Sequence, residues 1–337
     1  MKNMLIDRRR LLTISASGVA VAAFGGLGGV QSAFAADMVR WVSPRGTIEV
    51  LDDYPYWVAK KFGYFGDIET TLEPGPSDAT ATVKLVDQEQ ADMGYPSPGV
   101  FSLALAQGIP LVSVFQMGGA DVFDFAFRKG EAPADIKGIE GKTIVLGSAG
   151  WQSIADPMLK AAGVDISTVK YVDAGWPTWG TAVAQGQGDT ALTWEGLRAH
   201  WKGQGLDFDY ILGRNFSRLP ANSFVIRKAD FDDPAKRAVY AKYLQGWAAG
   251  LEFGHLNPRA ATQIVMEQFP ALSSQMTPEV ATESMMQLAN VYRGRWDERG
   301  KWGYHIPESW QLFFDTSREI GQITADFKTE EIGRAHV

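Results

Sequence analysis

The sequence predicts an α/β protein of two lobes, with parallel-rich sheets flanked by helices and a ligand cleft between the lobes. Three observations carry this reading. Short strand-like runs alternate with helix-length segments, which argues for parallel sheets covered on both faces. Glycine or proline interrupts the alternation near Gly118-Gly119 and near Leu219-Pro220, where the chain is expected to cross between lobes. Beyond an N-terminal leader about 300 residues remain, enough for two lobes of ordinary size.

The leader comes first. Arg8, Arg9 and Arg10 precede an apolar, glycine- and alanine-rich run over residues 11–30. Ala33-Phe34-Ala35 ends it with the small-x-small pattern of a signal-peptidase site. Residues 1–35 are therefore expected to be a signal peptide, cleaved near Ala36. The paired arginines before Leu11 and Leu12 look like a twin-arginine signal, which implies export of an already folded protein. Glycines at 18, 25, 26, 28 and 29 break the run and argue against a membrane anchor.

The elements then follow in order. Residues 39–43 read as a strand and 56–65 as a helix ending at Gly66. Residues 68–73 form a strand closed by Pro74-Gly75-Pro76. Helix 79–87, a short buried strand 91–94 and helix 100–106, stopped by Gly108, come next. Strands are expected at 111–116, 123–128 and 143–146, the last after a polar, proline-bearing stretch. Helix 154–162 ends at Gly163. Strand 169–172, helix 181–187 and strands 190–193 and 222–227 complete the alternation. Beyond Asp232 the chain reads as nearly all helix, at 234–252, 259–268, 278–292 and 308–327. These helices are expected to back the first lobe, with Trp296, Trp302, Tyr304 and Trp310 as packing. The lobes expected are 36–120 plus 220–330, and 121–219.

Composition narrows the function. The 337 residues are 45% hydrophobic and 21% charged, which is globular. The absence of cysteine excludes disulfides, thiolate metal sites, a cysteine nucleophile and a lipidated N-terminal cysteine. The net charge is −7, and near −10 without residues 1–35, so the chain lacks the basic excess that nucleic acid requires. Histidines at 200, 255, 305 and 336 show no metal-ligand spacing, and neither metal nor cofactor is expected.

Ligands of open α/β sheets sit outside the carboxyl ends of strands. That rule selects loops 43–57, 94–99, 147–153, 173–179 and 193–196. They contain Tyr54, Tyr56, Trp57, Tyr95, Trp151, Trp176, Trp179 and Trp194. Such rings offer flat apolar faces with one polar handle, suited to a flat ring or a cation. Ser97 and Ser148 precede helices, where free N–H groups and the helix dipole favour acceptor atoms; helix capping explains them equally. Asp52, Asp53 and Glu195 add carboxylates, Glu195 at the expected cleft mouth. Arg45 can pair with an acidic ligand group or with Asp52. Gly147-Ser148-Ala149-Gly150 is not a Gly-x-Ser-x-Gly elbow, and no histidine stands beside it to activate a serine.

Four segments carry a resemblance. Tyr54-Pro55-Tyr56-Trp57-Val58-Ala59-Lys60-Lys61-Phe62-Gly63-Tyr64-Phe65 resembles the x-P-x-x-x-A-x-x-x-G-Y/F-F segment of periplasmic solute-binding proteins of ABC importers. The branch is the one that handles taurine, alkanesulfonates, nitrate and pyrimidine precursors of thiamine. Val86 to Gly94 is similar to L-x-x-G-x-A-D-hydrophobic-G, with Gln88-Glu89-Gln90 where glycine is usual. Ile139-Glu140-Gly141-Lys142-Thr143-Ile144 resembles L-K-G-K-x-I/V, and Ala184 to Ala191 resembles L-x-x-G-x-V-D-A.

The resemblance implies a type II periplasmic binding fold, a small-molecule ligand and an inner-membrane ABC permease as partner. No catalysis is expected, because the chain has no cysteine, none of its histidines lies in the five loops, and a signal peptide argues for transport. The alternative, a synthase-like branch of the thiamine-pyrimidine relatives, relies on His and Cys near the site. The abundance of Trp and Tyr favours a flat aromatic or nitrogen-containing ligand; a small anion such as a sulfonate, taurine or nitrate is the alternative. The ligand residues expected are Arg45, Asp53, Tyr56, Trp57, Tyr95, Ser97, Ser148, Trp151, Trp176, Trp194 and Glu195. The protein is expected in the periplasm as an untethered monomer. Residues 331–337 read like a translated sequencing adapter and are expected to be non-native.

Overall fold

The computed structural model describes residues 37–76, 79–119 and 121–329. The leader and the C-terminal heptapeptide lie outside the described residues.

The chain opens with β1 (Met38–Ser43), α1 (Tyr54–Phe62), β2 (Glu69–Pro74), α2 (Ala79–Asp87), α3 (Pro98–Ala106) and β3 (Leu111–Gln116). It crosses to β4 (Phe123–Arg128), β5 (Thr143–Leu146), α4 (Gln152–Ala161), β6 (Lys170–Asp173), α5 (Trp179–Ala184), β7 (Thr190–Trp194), α6 (Leu197–Gly203), β8 (Phe208–Leu212) and α7 (Gly213–Phe216). It returns through β9 (Ser223–Arg227) and α8 (Lys228–Asp232). The rest is helical: α9 (Pro234–Leu256), α10 (Pro258–Gln268), α11 (Pro278–Tyr292), α12 (Trp296–Arg299) and α13 (Pro307–Glu319).

Two sheets result. In the first, β1 pairs with β2 in parallel, from Met38 opposite Glu69 to Ser43 opposite Pro74. Trp41 bridges Met93 and Gly94 bridges Val225, so residues 93–94 join β1 to the antiparallel β9–β3 pair. The expected strand at 91–94 is thus reduced to these two bridges. The second sheet has the order β6-β5-β7-β4-β8. There β5 runs parallel to β6 and β7, whereas β4 is antiparallel to β7 and β8. The sheets are therefore mixed. The antiparallel pairings involve β4 and β9, which the chain enters by crossing from the other sheet instead of through a βαβ unit.

Local chemistry fixes the boundaries. Pro55 sits in the first turn of α1, and Gly63, at φ 69°, closes the helix with its N–H on the Ala59 and Lys60 carbonyls. The helix stops there and not at Gly66, because the first left-handed glycine already terminates it. Likewise α13 ends at Glu319, short of the expected Phe327, with Gly321 in a left-handed turn. Ser97 caps α3 by accepting from Val100 N–H. Elements α6, β8 and α7 carry weak sequence signals. They are short, and β8 is a half-buried edge strand.

One core packs the first sheet against α1 and α9–α11 around Trp41, Tyr54, Tyr243 and Trp247. A second core spans both sheets. Val42, Phe101 and Val225 meet Phe125, Ile144 and Met158 there, with Trp310, Phe313 and Phe314 from α13. Helix α13 thus contacts both lobes and does not back the first alone. Trp310 is fully buried, its Nε1–H donating to Gln116 Oε1 at 2.9 Å. No helix among the described residues is long and apolar enough to cross a membrane.

Candidate functional site

The carboxyl ends of the strands converge on a cavity of about 150 Å³. A cavity of that size holds one benzene-sized ring. From the first lobe come Arg45 and Asp52, from the loop after β1, with Tyr95 and Ser97 ahead of α3. The crossings supply Val122, Phe123 and Asn222. The second lobe supplies Gly147, Ser148 and Trp151 after β5, Trp176 after β6, and Trp194 at the end of β7. Helix α11 adds Leu288 and Tyr292.

Tryptophans form one wall. Trp176 lies parallel to Trp194, 8° and 5.5 Å apart, and stacks on Trp179 at 4.7 Å. Trp151 stands edge-on to Trp194. Trp179 is buried behind, with its Nε1–H on the Leu192 carbonyl at 3.0 Å. It anchors a stack whose outer member, Trp176, is 43% exposed. Stacked rings brace one another, so the wall is preformed.

The polar groups are arranged around Arg45. Its Nη1 contacts Asp53 Oδ1 at 2.6 Å, and its Nη2 contacts Asp52 Oδ1 at 3.3 Å. Burial opposes the charge on Arg45, but Asp53 and Asp52 outweigh it and hold the guanidinium charged more firmly than usual. Burial pushes Asp53 up to about 6 against the opposing pull of Arg45. The Asn222 Oδ1 and Trp194 Nε1 atoms are buried without hydrogen-bond partners among the described residues.

Of the eleven sequence-expected residues, Arg45, Tyr95, Ser97, Ser148, Trp151, Trp176 and Trp194 line this cavity together. The other four stand elsewhere. Asp53 is behind Arg45 as its ion-pair partner. Tyr56 is buried with its hydroxyl donating to the Thr70 carbonyl at 3.1 Å. Trp57 packs edge-on against Phe269 and Tyr56. Glu195 is fully buried and ion-paired to Arg198 and Arg214, with Asp124 beside it pushed up by burial and by the Glu195 charge. The sequence reading did not single out Asn222, Leu288 or Tyr292. The last two are helical positions, and their spacing on α11 is that of ordinary core residues.

The two crossings are tied to each other. Ser217 Oγ donates to Asp121 Oδ2 at 2.8 Å, and Phe123 N–H donates to Asp121 Oδ1. Burial raises the Asp121 carboxyl from its ordinary 3.8 to about 6. The native state therefore keeps this proton where the unfolded chain has lost it, and stability falls as pH rises from about 4 to about 6. Asp121→Asn is expected to remove about 2 kcal/mol of that fall, measured by urea unfolding at pH 4 and pH 7. An identical fall in both proteins would show that Asp121 is not the group responsible.

The family model described as "NMT1/THI5 like" matches residues 52–261, more than half of the chain. No curated protein sequence matches. The fold is similar to that of the periplasmic aliphatic sulphonate binding protein SsuA from Escherichia coli. The TM-score is 0.63 at 12% identity, over 89% of this chain and 94% of that one. The periplasmic nitrate-binding protein NrtA from Synechocystis PCC 6803 gives a TM-score of 0.62 at 13% identity, over 88% and 85%. The alkanesulfonate-binding protein SsuA from Xanthomonas axonopodis pv. citri, bound to MOPS, gives 0.57 at 13%, over 75% and 85%. At these identities the likeness establishes the two-lobed periplasmic binding protein fold. The family match establishes membership: the chain belongs to the NMT1/THI5-like family.

Proposed function

We propose that the chain is the extracytoplasmic solute-binding component of an ABC importer. In this reading it captures one small, flat, aromatic or nitrogen-containing molecule and delivers it to an inner-membrane permease. The observation that carries the reading is the single-ring cavity walled by Trp151, Trp176 and Trp194 and closed by residues of both lobes. A ligand touching both lobes stabilises the closed form through contacts that the open form lacks. The lobes are residues 36–120 plus 220–330, and 121–219; the β1–β2 and β3–β9 pairs fall in the first range and the five-stranded sheet in the second. A cleaved leader over residues 1–35 delivers the chain to the periplasm, where it acts as a monomer.

Two observations weigh against other readings. The sulfonate and nitrate neighbours favour a small anion, but Arg45, the one cation of the cavity lining among the described residues, is already held by two carboxylates. A synthase-like enzyme would draw on His and Cys. The chain has no cysteine, and the cavity lining among the described residues includes no histidine.

A thermal-shift screen of the purified mature protein tests the reading, since binding to the native state alone raises Tm. Thiamine precursors and other single-ring nitrogen compounds are expected to raise Tm, and alkanesulfonates and nitrate to leave it unchanged. Stabilisation by the anions alone would contradict the proposal.

A further inference from the structure

The charges and unpartnered atoms of the cavity specify more than a ring. Among the described residues, Arg45 and Asp52 are the charged residues of its lining. The guanidinium of Arg45 is committed, Nη1 to Asp53 and Nη2 to Asp52. Counting Asp53 behind it, the group carries two carboxylates and one cation, a net negative charge facing an aromatic wall. Arg198 and Arg214 are engaged by Glu195 and do not line the cavity. His200, close enough to Asp52 to feel its charge, is half-buried, and that burial holds it toward its neutral form.

Asn222 adds a buried carboxamide oxygen with no donor among the described residues. Such an acceptor is costly to leave unmade. Asp52 has one oxygen toward Arg45 and that contact is long, so its carboxylate retains acceptor capacity. The flat faces of Trp176 and Trp194 attract a cation through their ring quadrupoles.

We infer that the cavity selects a single flat ring bearing a cationic group with N–H donors, an amidinium or protonated amine, with Asp52 and Asn222 as the accepting residues. Asn222 is thereby a specificity-determining residue, and the site rejects anions. The inference rests on the ring-capture reading above. The Trp194 Nε1–H is a donor and serves any ring nitrogen or substituent oxygen; it sets no charge.

Three isosteric probes separate charge from shape: benzamidine (a cation), benzamide (neutral) and benzoate (an anion). Isothermal titration of the full mature chain is expected to give benzamidine an affinity about tenfold or more above the other two. Asp52→Asn should collapse that ratio, because it removes the carboxylate charge and so weakens benzamidine far more than neutral benzamide. Asn222→Asp, which adds a carboxylate, should widen it. A general folding defect cannot explain a ratio that moves in opposite directions in two variants. Benzoate binding as tightly as benzamidine, or a ratio unchanged in both variants, overturns the inference. If benzamide and benzoate bind and quench tryptophan fluorescence while benzamidine does not, the charge selection is wrong and ring capture stands. If none of the three binds, ring capture fails with it.

Discussion

Gly99→Ala is expected to weaken ligand binding by about 1–3 kcal/mol, roughly 5- to 150-fold in Kd, and to lower the Tm of the unliganded protein as well, since α3 and α4 share the core that spans both sheets. Gly99 lies in the first turn of α3, in the first lobe. A Cβ placed there would lie 2.5 Å from the Ser153 carbonyl oxygen and 3.0 Å from its Oγ. Ser153 belongs to α4, in the second lobe. The obstacle is backbone, so the overlap is relieved by moving the lobes apart, not by a side-chain rotation. Lobe separation opens the cavity, because Ser97 and Val100 lie within two residues of Gly99, Trp151 and Ile154 within two of Ser153, and all four line it. The closed population falls, and the apparent Kd rises in proportion. Titration of the variant against its best ligand measures this. An unchanged Kd would mean that the α3–α4 approach does not limit closure.

Trp194→Ala is expected to cost about 1–3 kcal/mol of binding, by analogy with aromatic stacking on bases. Trp194 is the lining residue on which Trp176 lies parallel and against which Trp151 is edge-on. Its removal deletes one face and loosens the other two. Trp57→Ala is the matched control. Trp57 packs on Phe269 at 5.0 Å and lies outside the cavity lining, so its loss should lower Tm and spare affinity. Equal affinity losses in the two variants would point to general destabilisation instead of stacking. An affinity unchanged by Trp194→Ala would remove the tryptophan wall from the account.

Much of this site was legible because strand ends are legible. Trp151, Trp176 and Trp194 follow β5, follow β6 and end β7, and the rule that ligands sit at those ends collects them without a structure. Tyr56 and Trp57 show where the rule is coarse. They fall just past the loop, on the first turns of α1, and a helix sends successive side chains to different faces. Both turn into the packing beside α1. Glu195 directly follows Trp194, yet its charge is consumed by Arg198 and Arg214, which local sequence does not reveal. Tyr292 is read only in three dimensions. It reaches the cavity from α11, and its stacking on Tyr54 of α1 joins positions far apart in the chain. Asn222 left a faint signal, a polar residue beside the Leu219-Pro220 break. The antiparallel pairings of β4 and β9 were hidden for a related reason. Strand periodicity reports burial and says nothing about direction.

In the proposed mode of binding, one ring is held against the tryptophan wall between the lobes. A crystal structure of the mature protein with its most stabilising compound tests it most directly. The ring is expected to stack on Trp176 or Trp194, with Asp52 or Asn222 within hydrogen-bond distance of a ligand donor. A ligand bound outside this cavity, or an anion seated on Arg45 with no tryptophan contact, would contradict it.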